Sequence, residues 1–164
     1  MKTAVVIPAR LGATRLPRKP LRDLAGEPLV VRVWRRVESM GVADRVVVAT
    51  DHDDVAGIAR AAGADVVMTS SDCASGTARV AEVSRNPGFS DYDAFVNVQG
   101  DEPFISAAFI AAAADVVRSG KFTLGTVAAV APEEIFDRPS VVKVVVGTDG
   151  RALYFSRAPI PFLL

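Results

Sequence analysis

The reading of the chain turns on Ala4-Val5-Val6-Ile7-Pro8-Ala9-Arg10-Leu11-Gly12-Ala13-Thr14-Arg15-Leu16-Pro17-Arg18-Lys19-Pro20. An apolar run reads as a buried strand, and it stops at a loop that carries Arg10, Arg15, Arg18 and Lys19 among Pro8, Pro17 and Pro20. A strand ending in such a loop aims fixed charges and backbone N–H groups at one spot, which suits a polyphosphate. Guanidinium forks hold phosphate oxygens two at a time, Lys19 acts as a point charge, and the prolines limit how far the loop flexes. A solvated basic loop is the plainer alternative; the strand before it and the placement of the prolines favour a phosphate site.

Outward from this stretch, apolar runs of strand type alternate with segments of helical period, the signature of βαβ units around a largely parallel sheet. Strands are expected at 4–7, 45–49, 65–68, 94–98, 123–130, 141–146 and 152–155, with helices between the first five. Pro28 is placed to open the first helix, whose Val30, Val33, Trp34 and Val37 fall on one stripe at i, i+3, i+4 and i+7. Val55, Ile58, Ala59 and Ala62 form a second stripe, and Phe109, Ile110, Ala113, Val116 and Val117 another. Two β-rich runs flank Asp149-Gly150 and read as a hairpin, so the sheet is expected to be mixed.

Composition sets the bounds. The 164 residues are 50% hydrophobic and 23% charged, enough for one sizeable core, and a single domain over 1–164 is expected. Formal net charge is zero, so no overall field draws nucleic acid and any anion must be captured by local clusters. A lone cysteine, Cys73, excludes an internal disulfide and a multi-cysteine zinc site. Charges or prolines break every apolar run well short of the ~20 residues a membrane helix needs, so a cytoplasmic protein with no membrane partner is expected. The apolar end at 158–164 either docks into a groove or marks a cut inside a larger domain.

In an open α/β sheet, ligands gather at the carboxyl ends of the strands, so the loops after strands one, two and four are expected to share a site. Strand four runs into Asn97-Val98-Gln99-Gly100-Asp101-Glu102-Pro103, which puts carboxylates beside a glycine that admits close backbone approach. Asp101 is the candidate Mg²⁺ ligand, because Mg²⁺ takes one or two carboxylates with phosphate oxygens and water. The competing reading is that Asp101 or Glu102 caps the helix behind Pro103. Ser75-Gly76-Thr77-Ala78-Arg79 offers a cap and, with its exposed N–H groups, a surface for phosphate or for the edge of a base. His52, among Asp51, Asp53 and Asp54, reads as a helix-start residue rather than a catalytic base, with Asp51 able to reach a ligand from strand two. Cys73 reads as inert.

Six motifs in order carry a resemblance: Ile7-Pro-Ala-Arg10 with Arg15-Leu-Pro-x-Lys19-Pro-Leu21, Val48-Ala-Thr-Asp51, Ser75-Gly-Thr77 with Arg79, Asn97-Val-Gln-Gly-Asp-Glu-Pro103, Val142-Lys-Val144 and Ala152-Leu-Tyr-Phe-Ser-Arg157. Together they make the chain similar to the 3-deoxy-manno-octulosonate cytidylyltransferases (CMP-KDO synthetases), over about the amino-terminal two-thirds of such a protein. The resemblance implies an α/β, Rossmann-like nucleotidyltransferase fold of the glycosyltransferase A-like kind, in three layers around a mixed, mostly parallel sheet. It implies transfer of CMP from CTP to the octulosonate with release of pyrophosphate, a step of lipopolysaccharide biosynthesis in Gram-negative bacteria, with Mg²⁺ as cofactor and a homodimeric full-length protein.

By matching position, the resemblance assigns Arg10, Lys19 and Asp101 to catalysis. Arg10, Arg15 and Lys19 would hold the triphosphate with the backbone of Ala9, Leu11 and Gly12; Ser75, Gly76 and Thr77 would read cytosine with support from Arg79. Asp101 would bind Mg²⁺, and Gln99 and Arg157 would face the acidic sugar. Departures from the family pattern are Cys73-Ala74 where His and a polar residue are usual, Ala78 in place of Glu and Arg18 in place of Gly. A cytidylyltransferase for another acidic sugar, such as sialic acid, and a non-catalytic nucleotide-binding remnant are the alternatives.

Overall fold

A computed structural model describes residues 1–12 and 16–161. These residues group into two compact units, Met1–Thr126 and Val127–Leu164.

In the first unit, β1 (Thr3–Pro8), β2 (Arg45–Thr50), β3 (Asp65–Met68) and β4 (Ala94–Asn97) form one parallel sheet in the order β3-β2-β1-β4. Ala4 to Ile7 are fully buried because both faces of β1 are covered, as expected of a strand with parallel neighbours on either side. Alternation then assigns the layers. Val5 and Ile7 pack with Val33 and Val37 of α1 (Leu29–Glu38) and Ile110 of α4 (Ala107–Arg118). Val48, in register with Ile7, packs with Val30 of α1 and with Val55 and Ala59 of α2 (Asp53–Ala61). The opposite face, Ala4, Val6, Val47 and Ala49, meets Val80 and Val83 of α3 (Gly76–Ser84) and Phe89. The unit is therefore three layers, with α1, α2 and α4 on one side of the sheet and α3 on the other. The chain steps outward from β1 to β3 and then returns to the far side of β1 as β4. The crevice at the carboxyl ends of β1 and β4 is thus a topological switch point, where such sheets bind ligands.

In the second unit, β5 (Lys143–Val146) and β6 (Ala152–Ser156) pair antiparallel, with Gly150 at φ 83° in the connection. That is the hairpin expected around Asp149-Gly150, but it forms a separate two-stranded ladder, and the four-stranded sheet is wholly parallel.

Two expectations need correction. Residues 123–130 form no strand. Within that run Gly125 passes so close to α4 that a Cβ there would lie 2.7 Å from the Ala113 carbonyl oxygen, and Val130 is fully exposed. A β-rich composition does not make a strand without a neighbour to hydrogen-bond, and no neighbour is present among the described residues. Phe109 is not part of the buried stripe of α4: it is 46% exposed, and the stripe centres on Ile110 and Ala114. The stripe of α1 is as expected, with Val31 buried in addition and Pro28 at the N-cap, one residue before the helix.

Candidate active site

Each wall of the crevice has a local cause. On the β1 side, the Ala9 amide donates to the Ala49 carbonyl (2.8 Å), which extends the sheet one residue past the strand before the chain turns out at Arg10. The basic loop returns as a single 3-10 turn at Lys19–Leu21, with Pro20 buried. Arg18 precedes that turn in the left-handed region (φ 55°), a conformation that favours glycine, and its guanidinium donates to Asp54 of α2 at 2.6 Å. That guanidinium holds the Asp54 carboxyl below its ordinary range. On the β4 side, Gly100 is required by space: a Cβ would stand 2.6 Å from the Pro8 carbonyl oxygen. Asp101 follows, and its carboxylate accepts from Lys19 Nζ in an ion pair that closes the crevice from one wall to the other.

The third wall is the start of α3. Ser75 is its N-cap, with Oγ accepting from the Ala78 amide at 3.0 Å. Gly76 faces Pro8 and Gln99 so closely that a Cβ would lie 3.1 Å from Pro8 Cγ. Arg79, one turn on, is 2% exposed; it pairs with Asp51 at 3.1 Å and donates to Thr69 Oγ1.

Together these walls enclose a cleft of about 270 Å³, lined by Pro8, Ala9, Arg10, Lys19, Pro20, Ser75, Gly76, Arg79, Gln99, Gly100 and Asp101. The loops after β1 and β4 meet as expected, joined by the start of α3; the loop after β2 does not line the cleft, and its Asp51 pairs with Arg79. Leu11 instead packs against the core between α1 and α2, and Gly12 and Thr77 do not line the cleft. Arg15 lies outside the described residues. Arg157 belongs to the second unit, where its guanidinium donates to the Pro139 carbonyl at 2.9 Å. The cap of α4 is Ser106, five residues past Asp101, so neither Asp101 nor Glu102 is the capping residue. His52 is the N-cap of α2, with Nδ1 accepting from the Asp54 amide at 3.1 Å.

The composition of the cleft suits a metal-bound polyphosphate. Among the described residues no three His, Cys, Asp or Glu side chains converge to hold an ion unaided. A single half-exposed carboxylate, paired with Lys19 in a cleft that Arg10 also lines, is the kind of donor set that Mg²⁺ would complete with phosphate oxygens and water.

Sequence reasoning missed how the segment before α3 is held. Glu82 accepts from the Ser70 amide (2.9 Å) and from Cys73 Sγ (3.0 Å). The Cys73 thiol is pushed up by that bond and by burial, and Glu82 is correspondingly lowered by the bonds from Cys73 and the Ser70 amide. The available signal was the i, i+3 spacing of Arg79 and Glu82, which puts both on one face of α3.

Comparison with known proteins bears on the fold and the family. The chain is 58% identical, over 99% of its length, to the 3-deoxy-manno-octulosonate cytidylyltransferase of Gemmatimonas aurantiaca, and it spans 63% of that relative. A solved CMP:2-keto-3-deoxy-manno-octonic acid synthetase, complexed with CTP, superposes with a TM-score of 0.83 at 36% identity, over 99% of this chain and 66% of that one. A cytidylyltransferase from Leptospira borgpetersenii shares the fold, with a TM-score of 0.61 at 23% identity over 74% of this chain and 50% of that one. These findings bear out the resemblance read from the six motifs, and no helix among the described residues is long and apolar enough to cross a membrane. The family model described as cytidylyltransferase matches residues 4–164, and the chain belongs to that family.

Proposed function

We propose that the chain is the nucleotide-binding part of an enzyme that transfers CMP from CTP to 3-deoxy-D-manno-octulosonate, releasing pyrophosphate. The observation that carries this reading is a cleft lined by Arg10, by the ion pair of Lys19 and Asp101, and by the Ser75–Gly76 turn. That arrangement matches the two ends of a nucleoside triphosphate. The names of the two octulosonate-specific relatives supply the sugar.

In this reading the anomeric hydroxyl of the sugar attacks the α-phosphorus, a new P–O bond forms, the bond to pyrophosphate breaks, and the hydroxyl proton leaves to water. Little covalent work falls to the protein, so catalysis is positioning and charge stabilisation. Arg10 and Lys19 bind the phosphates and offset the charge that grows on the leaving pyrophosphate. Asp101, which now pairs with Lys19, would hold Mg²⁺ against the same phosphates, and the ion would supply further neutralisation of the triphosphate. Ser75 and Gly76, with Arg79 in support, read the cytosine. Gln99 faces the acidic sugar. The full-length protein is a homodimer acting in the cytoplasm.

The test is pyrophosphate release from CTP with the octulosonate and Mg²⁺ present, measured on wild type and Asp101→Asn. Release should require all three components and fall by at least about 10²-fold in Asp101→Asn, as for loss of a group that stabilises the transition state. Equal release by the variant refutes the role of Asp101. Equal release with sialic acid in place of the octulosonate refutes the choice of sugar.

A further inference from the structure

Among the described residues Arg79 is the one buried charge, and it is held by protein groups. Its guanidinium reaches Asp51 just past β2 (3.1 Å) and Thr69 just past β3, while its amide donates to the Ser75 carbonyl at 3.1 Å. Three residues on, Glu82 takes hydrogen bonds from Ser70 and Cys73. The segment from Thr69 to Ser75 is therefore held at its start, middle and end by one helix. It delivers Ser75 and Gly76 to the cleft, with Gly76 seated against Pro8 with only a few tenths of an ångström of tolerance. A small displacement of the segment would move that wall while leaving Arg10, Lys19 and Asp101 on their own elements.

We propose that Asp51 and Glu82, acting through Arg79 and the segment 69–75, are positioning residues that fix the base-side wall and so set which nucleobase the cleft accepts. The proposal rests on the nucleotide site argued above. Hydrogen-bonding walls discriminate between bases only while their donors and acceptors are held in place. Here that placement comes from Asp51, just past β2, and Glu82, on α3 itself, rather than from the residues that would touch the base. Neither carboxylate lines the cleft.

The experiment is calorimetric titration of CTP, UTP and inorganic tripolyphosphate against wild type, Asp51→Asn, Thr69→Val and Glu82→Gln. CTP should bind the variants roughly tenfold more weakly, as supporting-residue losses do, and the preference for CTP over UTP should fall toward parity. Tripolyphosphate should bind within about twofold of wild type, because its contacts lie on other elements. A merely structural role would weaken CTP and tripolyphosphate by the same factor, and that result, or unchanged CTP affinity and preference, overturns the proposal. Asp51→Asn leaves a buried guanidinium without its carboxylate. Should it fail to fold by circular dichroism, Thr69→Val and Glu82→Gln decide the matter on the same criteria. Wild type that binds tripolyphosphate with no preference for CTP over UTP overturns the nucleotide reading itself.

Discussion

Gly100→Ala is the sharpest structural perturbation the cleft allows. Gly100 does not lie in the left-handed region, so the argument is one of space alone. The added Cβ would stand 2.6 Å from the Pro8 carbonyl oxygen and 3.8 Å from Ala9 Cβ. Ordinary contact begins near 3.4 Å, so the two backbones must part by about 0.8 Å. Neither can yield easily: the Val98 amide is bonded to Val6 at 3.1 Å and the Ala9 amide to Ala49 at 2.8 Å, one on each side of the clash. Overpacking of this kind costs about 1–3 kcal/mol. Because the forced gap opens between Arg10 and Asp101, it should also misplace the groups that hold the triphosphate, at up to ~10²-fold in turnover. Denaturant unfolding would measure the first effect and steady-state pyrophosphate release the second. A Gly100→Ala protein with wild-type stability and turnover would refute the claim that β1 and β4 close the site at van der Waals contact.

Gly57 offers the opposite case, since it lies exposed within α2 with nothing near a would-be Cβ; Gly57→Ala should raise stability by about 0.5–1 kcal/mol in the same unfolding assay. The Cys73–Glu82 contact predicts a pH window. Glu82 is lowered from 4.5, so the stability it contributes is full above that value and is lost as pH falls through the lowered value. Cys73 is raised from 9.0, so its contribution is full below 9.0 and is lost as pH rises through the raised value. Thermal unfolding of wild type and Glu82→Gln should therefore differ most between those limits and converge outside them. Alkylation of Cys73 at mildly alkaline pH should be faster in Glu82→Gln, because the carboxylate that disfavours the thiolate is gone.

The parallel core was legible because strands buried on both faces read as continuous apolar runs, and Ala4-Val5-Val6-Ile7 and Val46-Val47-Val48-Ala49 are such runs. The site was legible in part for a related reason: in this topology the residues after β1 and β4 must share a switch point, whatever their side chains do. Residues 123–130 were misread because strand propensity describes a side chain's fit to a sheet, and among the described residues no partner strand takes up the backbone bonds. Phe109 was misread because a helical period locates a stripe but not its centre, and a shift of one residue moved an aromatic to the surface. The inward use of Arg79 was not legible, since its partners Asp51 and Thr69 come from other elements and meet it only in three dimensions.

Every step of the proposed reaction requires that the cleft between β1, β4 and α3 hold a nucleoside triphosphate by its phosphates, and titration of CTP against wild type and Lys19→Met measures that hold. A charge-assisted hydrogen bond contributes about 1.5–3 kcal/mol, so the variant should bind CTP roughly 10- to 150-fold more weakly. Equal CTP affinity in the two folded proteins would contradict the account.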